Sequence, residues 1–103
     1  MSVSALEDKD LNGANSGEVG DIESVVESNA DKKRFIVISR GGFLGFFETD
    51  VAIPLESVAV RNDQIVLQNL TEEQLKALPK FENENNAYRV LDDNENITLT
   101  EVK

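Results

Sequence analysis

The sequence contains no cysteine and no histidine. Without cysteine, the chain has neither disulfides nor a thiol nucleophile, and without histidine it lacks the most common catalytic base near neutral pH and the most common zinc ligand. No G-x-S-x-G nucleophile elbow is present either. Solvated surface charge explains the 20 acidic side chains better than a catalytic carboxylate pair does. We therefore expect a protein that is not an enzyme and needs no cofactor.

Long apolar runs are also missing. No stretch of 18 apolar residues exists, and residues 1–18 lack the hydrophobic segment of a signal peptide. We therefore expect no membrane insertion. We expect a cytoplasmic location for the chain as given, and an exported form whose leader has been removed is the open alternative.

Positive charge is scarce. Ten basic residues against 20 acidic ones give a net charge of −10, which repels the phosphate backbone of nucleic acids. The basic triplet at residues 32–34 is too small to offset this charge, and we interpret it as a solvated turn. A length of 103 residues with 40% hydrophobic and 29% charged residues is typical of one globular domain. We therefore expect no direct binding of nucleic acid.

Short β-branched segments bounded by turn residues predict strands. The clearest are residues 34–39 and 50–55. Residues 57–60 and 64–67 flank an Asn-Asp turn and predict a hairpin. A longer strand is expected over residues 19–27, in which Gly20 indicates a bulge or a close backbone approach. Closely spaced strands without intervening helices predict an all-β fold in which an antiparallel sheet closes into a small barrel or sandwich.

One segment has a strong helix signal. Thr71 with Gln74 three residues later forms a capping box, and Pro79 ends the pattern. The sequence therefore predicts one short helix near residues 71–78. Such a short helix is unstable alone, so we expect its leucines to pack on the sheet.

A glycine-rich segment, Gly41-Gly42-Phe43-Leu44-Gly45-Phe46-Phe47, carries three of the six aromatic residues. It lacks the spacing and the following helix of a phosphate-binding loop. One hypothesis is that these rings fold back into the core. The other is that Phe46 and Phe47, with Phe43, stay exposed and contact a partner.

Asp92, Asn94 and Asn96 match the first, third and fifth positions of a calcium loop. The rest of the motif is absent, because Ile97 replaces the required glycine and Lys103 replaces the bidentate glutamate. These three residues are a weak metal-ligand candidate, and a solvated turn is the preferred interpretation.

Four motifs in order resemble a known family, the bacterial PRC-barrel domain. They are G-E-x-G-x-I at residues 17–22, G-G-F-L-G at 41–45, D-V-A-I-P-L at 50–55 and T-E-E-Q-L-K-A-L-P at 71–79. The resemblance implies a small β-barrel that is not known as a catalyst. The barrel is shared with the reaction-centre H subunit, with the C-terminal domain of a ribosome maturation factor and with stand-alone bacterial proteins. The chain departs from the family pattern where Phe46-Phe47 follows Gly45.

The resemblance also predicts the domain organisation. We expect a PRC-barrel domain over residues 10–81, preceded by a flexible N-terminus over residues 1–9. An acidic, Asn-rich extension over residues 82–103 is expected to follow, as a late hairpin or a mobile tail.

Two classes of function are compatible with these features. The first is a non-catalytic protein-binding or scaffolding module whose partner is another protein or a second copy of this chain. The alternative is a barrel that binds a small ligand or a cation, through its mouth or through the acidic C-terminal segment.

Overall fold

A computed structural model describes residues 1–13, 18–40, 49–82 and 86–101. Most of the regular structure is β-strand, which confirms an all-β fold with few helices. The elements are α1 (Val3–Glu7), β1 (Asp10–Asn12), β2 (Glu18–Ser28), β3 (Arg34–Arg40), β4 (Thr49–Pro54), a 3-10 turn (Leu55–Ser57), β5 (Val58–Arg61), β6 (Gln64–Leu67), α2 (Glu72–Lys76), β7 (Tyr88–Val90) and β8 (Thr100–Glu101).

The strands form one mixed sheet rather than the antiparallel sheet that we expected. Its order is β4-β3-β2-β1-β6-β5-β8, with β7 also paired to β2. The pairs β1–β6 and β5–β8 are parallel, and the other pairs are antiparallel. Within the described residues, no pairing joins the end strands β4 and β8, so the described sheet is open and closure into a barrel is not confirmed.

The local sequence signals are confirmed by the structure. The hairpin of β5 and β6 turns at Asn62 and Asp63, whose φ angles of 52° and 65° are those that asparagine and aspartate tolerate best. Helix α2 begins after Thr71, and both bonds of the predicted capping box to Gln74 are present. Gly20 shows the predicted close approach, because a Cβ built there would lie 2.6 Å from the Ser39 carbonyl oxygen.

The N-terminal segment differs from the flexible arm that we expected. Ser2 caps α1, and the side chains of Val3 and Leu6 are fully buried in the core. The backbone of this segment also bonds to the C-terminal region, from the Val3 amide to the Glu95 carbonyl at 2.9 Å and from the Ile97 amide to the Met1 carbonyl at 2.8 Å. Residues 1–9 are therefore part of the folded domain, since burial outweighs the low stability of a five-residue helix.

The C-terminal segment differs too, because its described residues 86–101 form neither a tail nor a hairpin. Strand β7 pairs with β2, whereas β8 pairs with β5. Leu91 and Ile97 are buried in the core at 3% and 2% exposure. Apolar residues thus anchor the described part of this acidic segment, and the core extends beyond residue 81 at one end and before residue 10 at the other.

The core is one cluster of aliphatic side chains from α1, most of the strands, α2 and the segments after β7. It contains Val3, Leu6, Leu11, Ile22, Val25, Ile36, Ile38, Val51, Ile53, Val58, Ile65, Leu67, Leu75, Leu91 and Ile97. Among the described residues, none of the helices is long and apolar enough to cross a membrane.

The packing of α1 makes a testable prediction. We expect Leu6→Ala to lower the free energy of unfolding by about 2–5 kcal/mol, because it removes a fully buried side chain and leaves a cavity. Urea unfolding followed by circular dichroism measures this change. Ser4→Ala, an exposed position on the same helix, is the control and should change stability by less than about 0.5 kcal/mol. Equal effects of the two substitutions would mean that α1 does not contribute to the core.

The close approach at Gly20 makes a second prediction. We expect Gly20→Ala to cost roughly 1–3 kcal/mol of stability, because the new methyl group meets the backbone of β3, which cannot move aside without disturbing the sheet. Ser24→Ala on the same strand adds no atoms and serves as the control in the same urea titration. A Gly20→Ala protein as stable as wild type would contradict the observed strand spacing.

Candidate functional site

The glycine-rich segment that we expected to contact a partner lies outside the described residues. This holds for all three contact candidates, Phe43, Phe46 and Phe47. Whether these rings pack in the core or contact a partner from the surface stays a prediction.

The weak metal candidate lies in the turn after β7. Asp92, Asn94 and Asn96 are all exposed, and Asn96 forms an isolated β-bridge with Ser2. Among the parts of the chain that the structure describes, no group of three or more acidic side chains has the arrangement of a metal site.

One carboxylate of this turn, that of Glu95, already has hydrogen-bond partners. Glu95 accepts hydrogen bonds from the Arg89 guanidinium at 3.1 and 3.3 Å, and from the backbone amide of Asp92 at 2.7 Å. Both interactions lower the pKa of Glu95, the bond from Arg89 more strongly. Arginine thus supplies the positive charge in this turn, and the geometry is that of a structural turn.

A different feature is the best candidate for a functional site. Phe35 at the start of β3 and Tyr88 at the start of β7 pack edge to face, with ring centroids 5.9 Å apart and an angle of 86°. Phe81 also packs edge to face on Tyr88, with ring centroids 5.1 Å apart and an angle of 66°. All three residues are only half-buried. Edge-to-face packing fixes these rings while leaving part of their apolar surface in contact with solvent.

These rings line two surface cavities of about 390 and 330 Å³ that share Phe35 and Pro54. We call the two cavities together the aromatic groove. Its lining is mainly apolar, with charged side chains interspersed. The residues are Lys33, Arg34, Phe35, Ala52, Pro54, Leu55, Glu56, Leu78, Pro79, Lys80, Phe81, Glu82 and Tyr88.

The sheet brings distant parts of the chain to this groove. Strand pairing places Phe35 opposite Pro54 on β4 and opposite Val26 on β2. Tyr88 lies opposite Ser28, two residues further along β2 and therefore on the same face. The segment after α2 then runs beside β4, where the Phe81 amide donates to the Asp50 carbonyl at 2.7 Å. Each of the three aromatic residues thus lies on a segment whose backbone is hydrogen-bonded to the sheet.

An ion-pair network joins Glu27 to Arg34, which lines the groove, and to Arg89. Glu27 accepts a hydrogen bond from Arg34 Nε at 3.1 Å and lies 3.6 Å from an Arg89 nitrogen. The bond from Arg34 and the charge of Arg89 lower the pKa of Glu27. The pKa of Arg89 is raised, because this guanidinium pairs with Glu95 and Glu27. This network connects β2, β3, β7 and the turn after β7.

The carboxylate of Glu7 lies in an environment that raises its pKa, the opposite of the effect on Glu27. Burial raises the pKa of Glu7 on α1, and hydrogen bonding to Asp93 and the nearby charges of Asp93, Asp8 and Glu23 raise it further. The neutral form of Glu7 is therefore favoured relative to a solvated glutamate.

The aromatic groove was not predicted from the sequence. Phe35, Phe81 and Tyr88 lie on three separate segments, and none has a neighbour in the chain that would indicate a shared site. The only local signal was the basic triplet at residues 32–34, which we interpreted as a solvated turn and whose last two members line the groove.

Comparison with known families gives one result. The family model for the PRC-barrel domain matches residues 1–74. No curated protein matches the chain.

The ion-pair network predicts a pH dependence. Because the pKa of Glu27 is lowered in the folded state, its contribution to stability is complete above the usual glutamate pKa of about 4.3 and is lost as the pH falls through the lowered value. We expect Glu27→Gln to melt at a lower temperature than wild type at pH 7. The difference should shrink as the pH drops below 4. Thermal melts across this pH range test the prediction.

Glu7→Gln is the matched control, because it removes the same charge from a site of opposite character. Since the pKa of Glu7 is raised, its ionised form costs stability, so this variant should melt higher than wild type at pH 7. The gain should shrink as the pH falls and Glu7 of the wild type becomes protonated. Two variants that shift the melting temperature in the same direction at pH 7 would contradict this assignment.

Proposed function

The chain belongs to the PRC-barrel domain family, and on that premise we propose that it is a non-catalytic protein-binding module built on a PRC-type barrel. The family is generally non-catalytic, which agrees with a sequence that has no histidine and no cysteine. The chemistry available at the aromatic groove is that of recognition, through apolar contact and charge pairing.

The observation that carries this proposal is the half-buried ring cluster of Phe35, Phe81 and Tyr88. Aromatic side chains dominate the energetics of protein interfaces because they bury a large area and lose little conformational entropy. Here the rings are already held by strand pairing and by each other, so a partner need not order them. A fixed apolar surface of this kind supports binding.

The glycine-rich segment supplies a second proposed contact. Phe43, Phe46 and Phe47 belong to the connection between β3 and β4. That connection leaves β3 after Arg40, whereas Phe35 and Pro54 lie at the other end of the same strand pair. The pairing of β3 with β4 comprises six residue pairs, of which Phe35 with Pro54 is the first and Arg40 with Thr49 is the last.

Self-assembly is the alternative within the same class. A net charge of −10 on each copy opposes the association of two chains, and this favours a different protein as the partner. Sedimentation at several protein concentrations separates the two cases, since a homodimer dissociates on dilution.

The proposed function predicts the outcome of an affinity capture. Tagged wild type and Phe81→Ala are used as baits against a lysate of the source cell. We expect a protein that wild type retains and that Phe81→Ala loses, because truncating an interface aromatic costs about 2 kcal/mol or more, roughly 30-fold in Kd. Both baits must first show cooperative thermal unfolding.

A double variant of the connection, Phe46→Ser/Phe47→Ser, is the matched bait. If it loses the same protein while still folded, the connection contributes to the contact as well. Retention of the protein by all three baits would exclude both aromatic regions as the binding surface. The absence of any specifically retained protein would contradict the binding function itself.

A further inference from the structure

We infer that Asn12 is a covalent modification site, at which the side-chain amide reacts with the backbone nitrogen of Gly13 and becomes aspartate or isoaspartate without an enzyme. This inference is independent of the proposed function. Three observations carry it: the Asn-Gly pair itself, the weak hydrogen bonding of the Asn12 side chain and the position of Asn12 at a junction of the sheet.

The Asn-Gly pair supplies the reacting groups. Asn12 is the only asparagine of the chain that is followed by glycine. Asparagine is a thermolabile residue, and glycine has no Cβ that would hinder the approach of its own nitrogen to the preceding side chain. Every other asparagine is followed by a residue with a side chain, so Asn12 has the least hindered nucleophile beside it.

The reaction consumes one water and releases one ammonia. The Gly13 nitrogen bonds to Cγ of Asn12 and gives up its proton, while the bond from Cγ to Nδ2 breaks and Nδ2 leaves as ammonia with that proton. A five-membered succinimide ring results. Water then opens this ring at Cγ, which yields aspartate, or at the backbone carbonyl carbon of Asn12, which yields isoaspartate.

The Asn12 side chain is weakly held. It is half-buried at the last position of β1. Among the described residues, its one hydrogen bond runs from Nδ2 to the Ile65 carbonyl oxygen at 3.5 Å, which is longer than the usual range of about 2.7–3.2 Å. The departure of Nδ2 as ammonia therefore breaks only a weak interaction.

Strand pairing controls the rate. The succinimide ring requires a ψ angle at Asn12 far from the extended value of a strand, whereas Asn12 is paired with Val66 on β6 and Glu18 on β2. Gly13 is also buried. Asn12 must therefore leave β1 before it reacts. This opening is local, because β1 has three residues, only two pairs to β6 and a register shift after Leu11.

The products disturb a junction of the sheet. In the order β4-β3-β2-β1-β6-β5-β8, β1 alone joins β2 to β6 among the described strands. Aspartate replaces the Nδ2 donor with a carboxylate oxygen near the Ile65 carbonyl oxygen. Isoaspartate lengthens the main chain by one carbon at a residue that pairs with both neighbouring strands. Modification of Asn12 therefore weakens the contact between the two halves of the sheet.

The test compares the full chain with a free peptide of residues 8–14, DKDLNGA, incubated side by side at mildly alkaline pH. Digestion and mass spectrometry locate each asparagine that has become a carboxylate, and an isoaspartate assay identifies the product. We expect Asn12 to react before every other asparagine, at a rate at least about tenfold below that of the peptide, because it must first leave β1. Urea below the unfolding midpoint should raise this rate toward that of the peptide.

Three outcomes would overturn the inference. The first is reaction at another asparagine before Asn12. The second is the absence of reaction at Asn12 within about a hundred half-lives of the peptide, and the third is a rate equal to that of the peptide, since β1 would then have no control. Asn12→Gln is the control for the assignment, and it should remove the earliest product, because its longer side chain cannot form the five-membered ring.

A second experiment tests the effect on the junction. Asn12→Asp reproduces one product, and we expect it to melt about 4 °C or more below wild type, because the carboxylate cannot donate to Ile65. Asn69→Asp adds the same charge at an exposed position whose positive φ aspartate tolerates, so it should melt within about 2 °C of wild type. Equal melting temperatures of the two variants would overturn the inferred damage to the sheet.

Discussion

The structure depends on the pairing of both edges of β2. One edge is occupied by β3, and the other is divided between β1 near the start of the strand and β7 near its end. Near that end, the Leu91 amide donates to the Val25 carbonyl at 2.9 Å, which carries the chain from β7 into the core. An eleven-residue strand thus connects the N-terminal, central and C-terminal parts of the chain. Gly20 allows β3 to approach this strand closely, because a side chain there would meet the Ser39 carbonyl oxygen.

Charge is organised around the same strand. Glu27 near its end pairs with a cation on β3 and a cation on β7, so the ion pairs follow the backbone hydrogen bonds. These pairs are near the surface, where each is worth little alone. Their importance is in position, because they join β2 to β3 and β7 and hold Arg34, which lines the groove. Among the described residues, no ion pair offsets the acidic cluster around Glu7, and the burial of Leu6 next to it outweighs the repulsion.

The local features of this fold could be predicted from the sequence, whereas the features that join distant segments could not. The turn at Asn62 and Asp63 and the capping box of Thr71 depend on residues within a few positions of each other, and both were found. The helix at residues 3–7 is too short to be stable alone, and it forms because Leu6 and Val3 meet a core that the local sequence does not reveal. The paired residues of β2 and β7 are 60 to 64 positions apart, and alternation within three residues cannot specify a partner at that distance. The aromatic groove follows from this pairing, so it was missed for the same reason.

The shortest strand of the groove, β7, is also the one that completes it. Strand β7 has only three residues, two of which are exposed, yet it supplies the ring that contacts both other aromatics. A partner bound in the groove would contact Tyr88 and would therefore stabilise the pairing of β7 with β2. Binding to the native state raises its stability by mass action, and an opening of β7 that separates Tyr88 from a bound partner becomes less frequent. The function proposed for the groove and the stability of β7 are therefore coupled, because Tyr88 takes part in both.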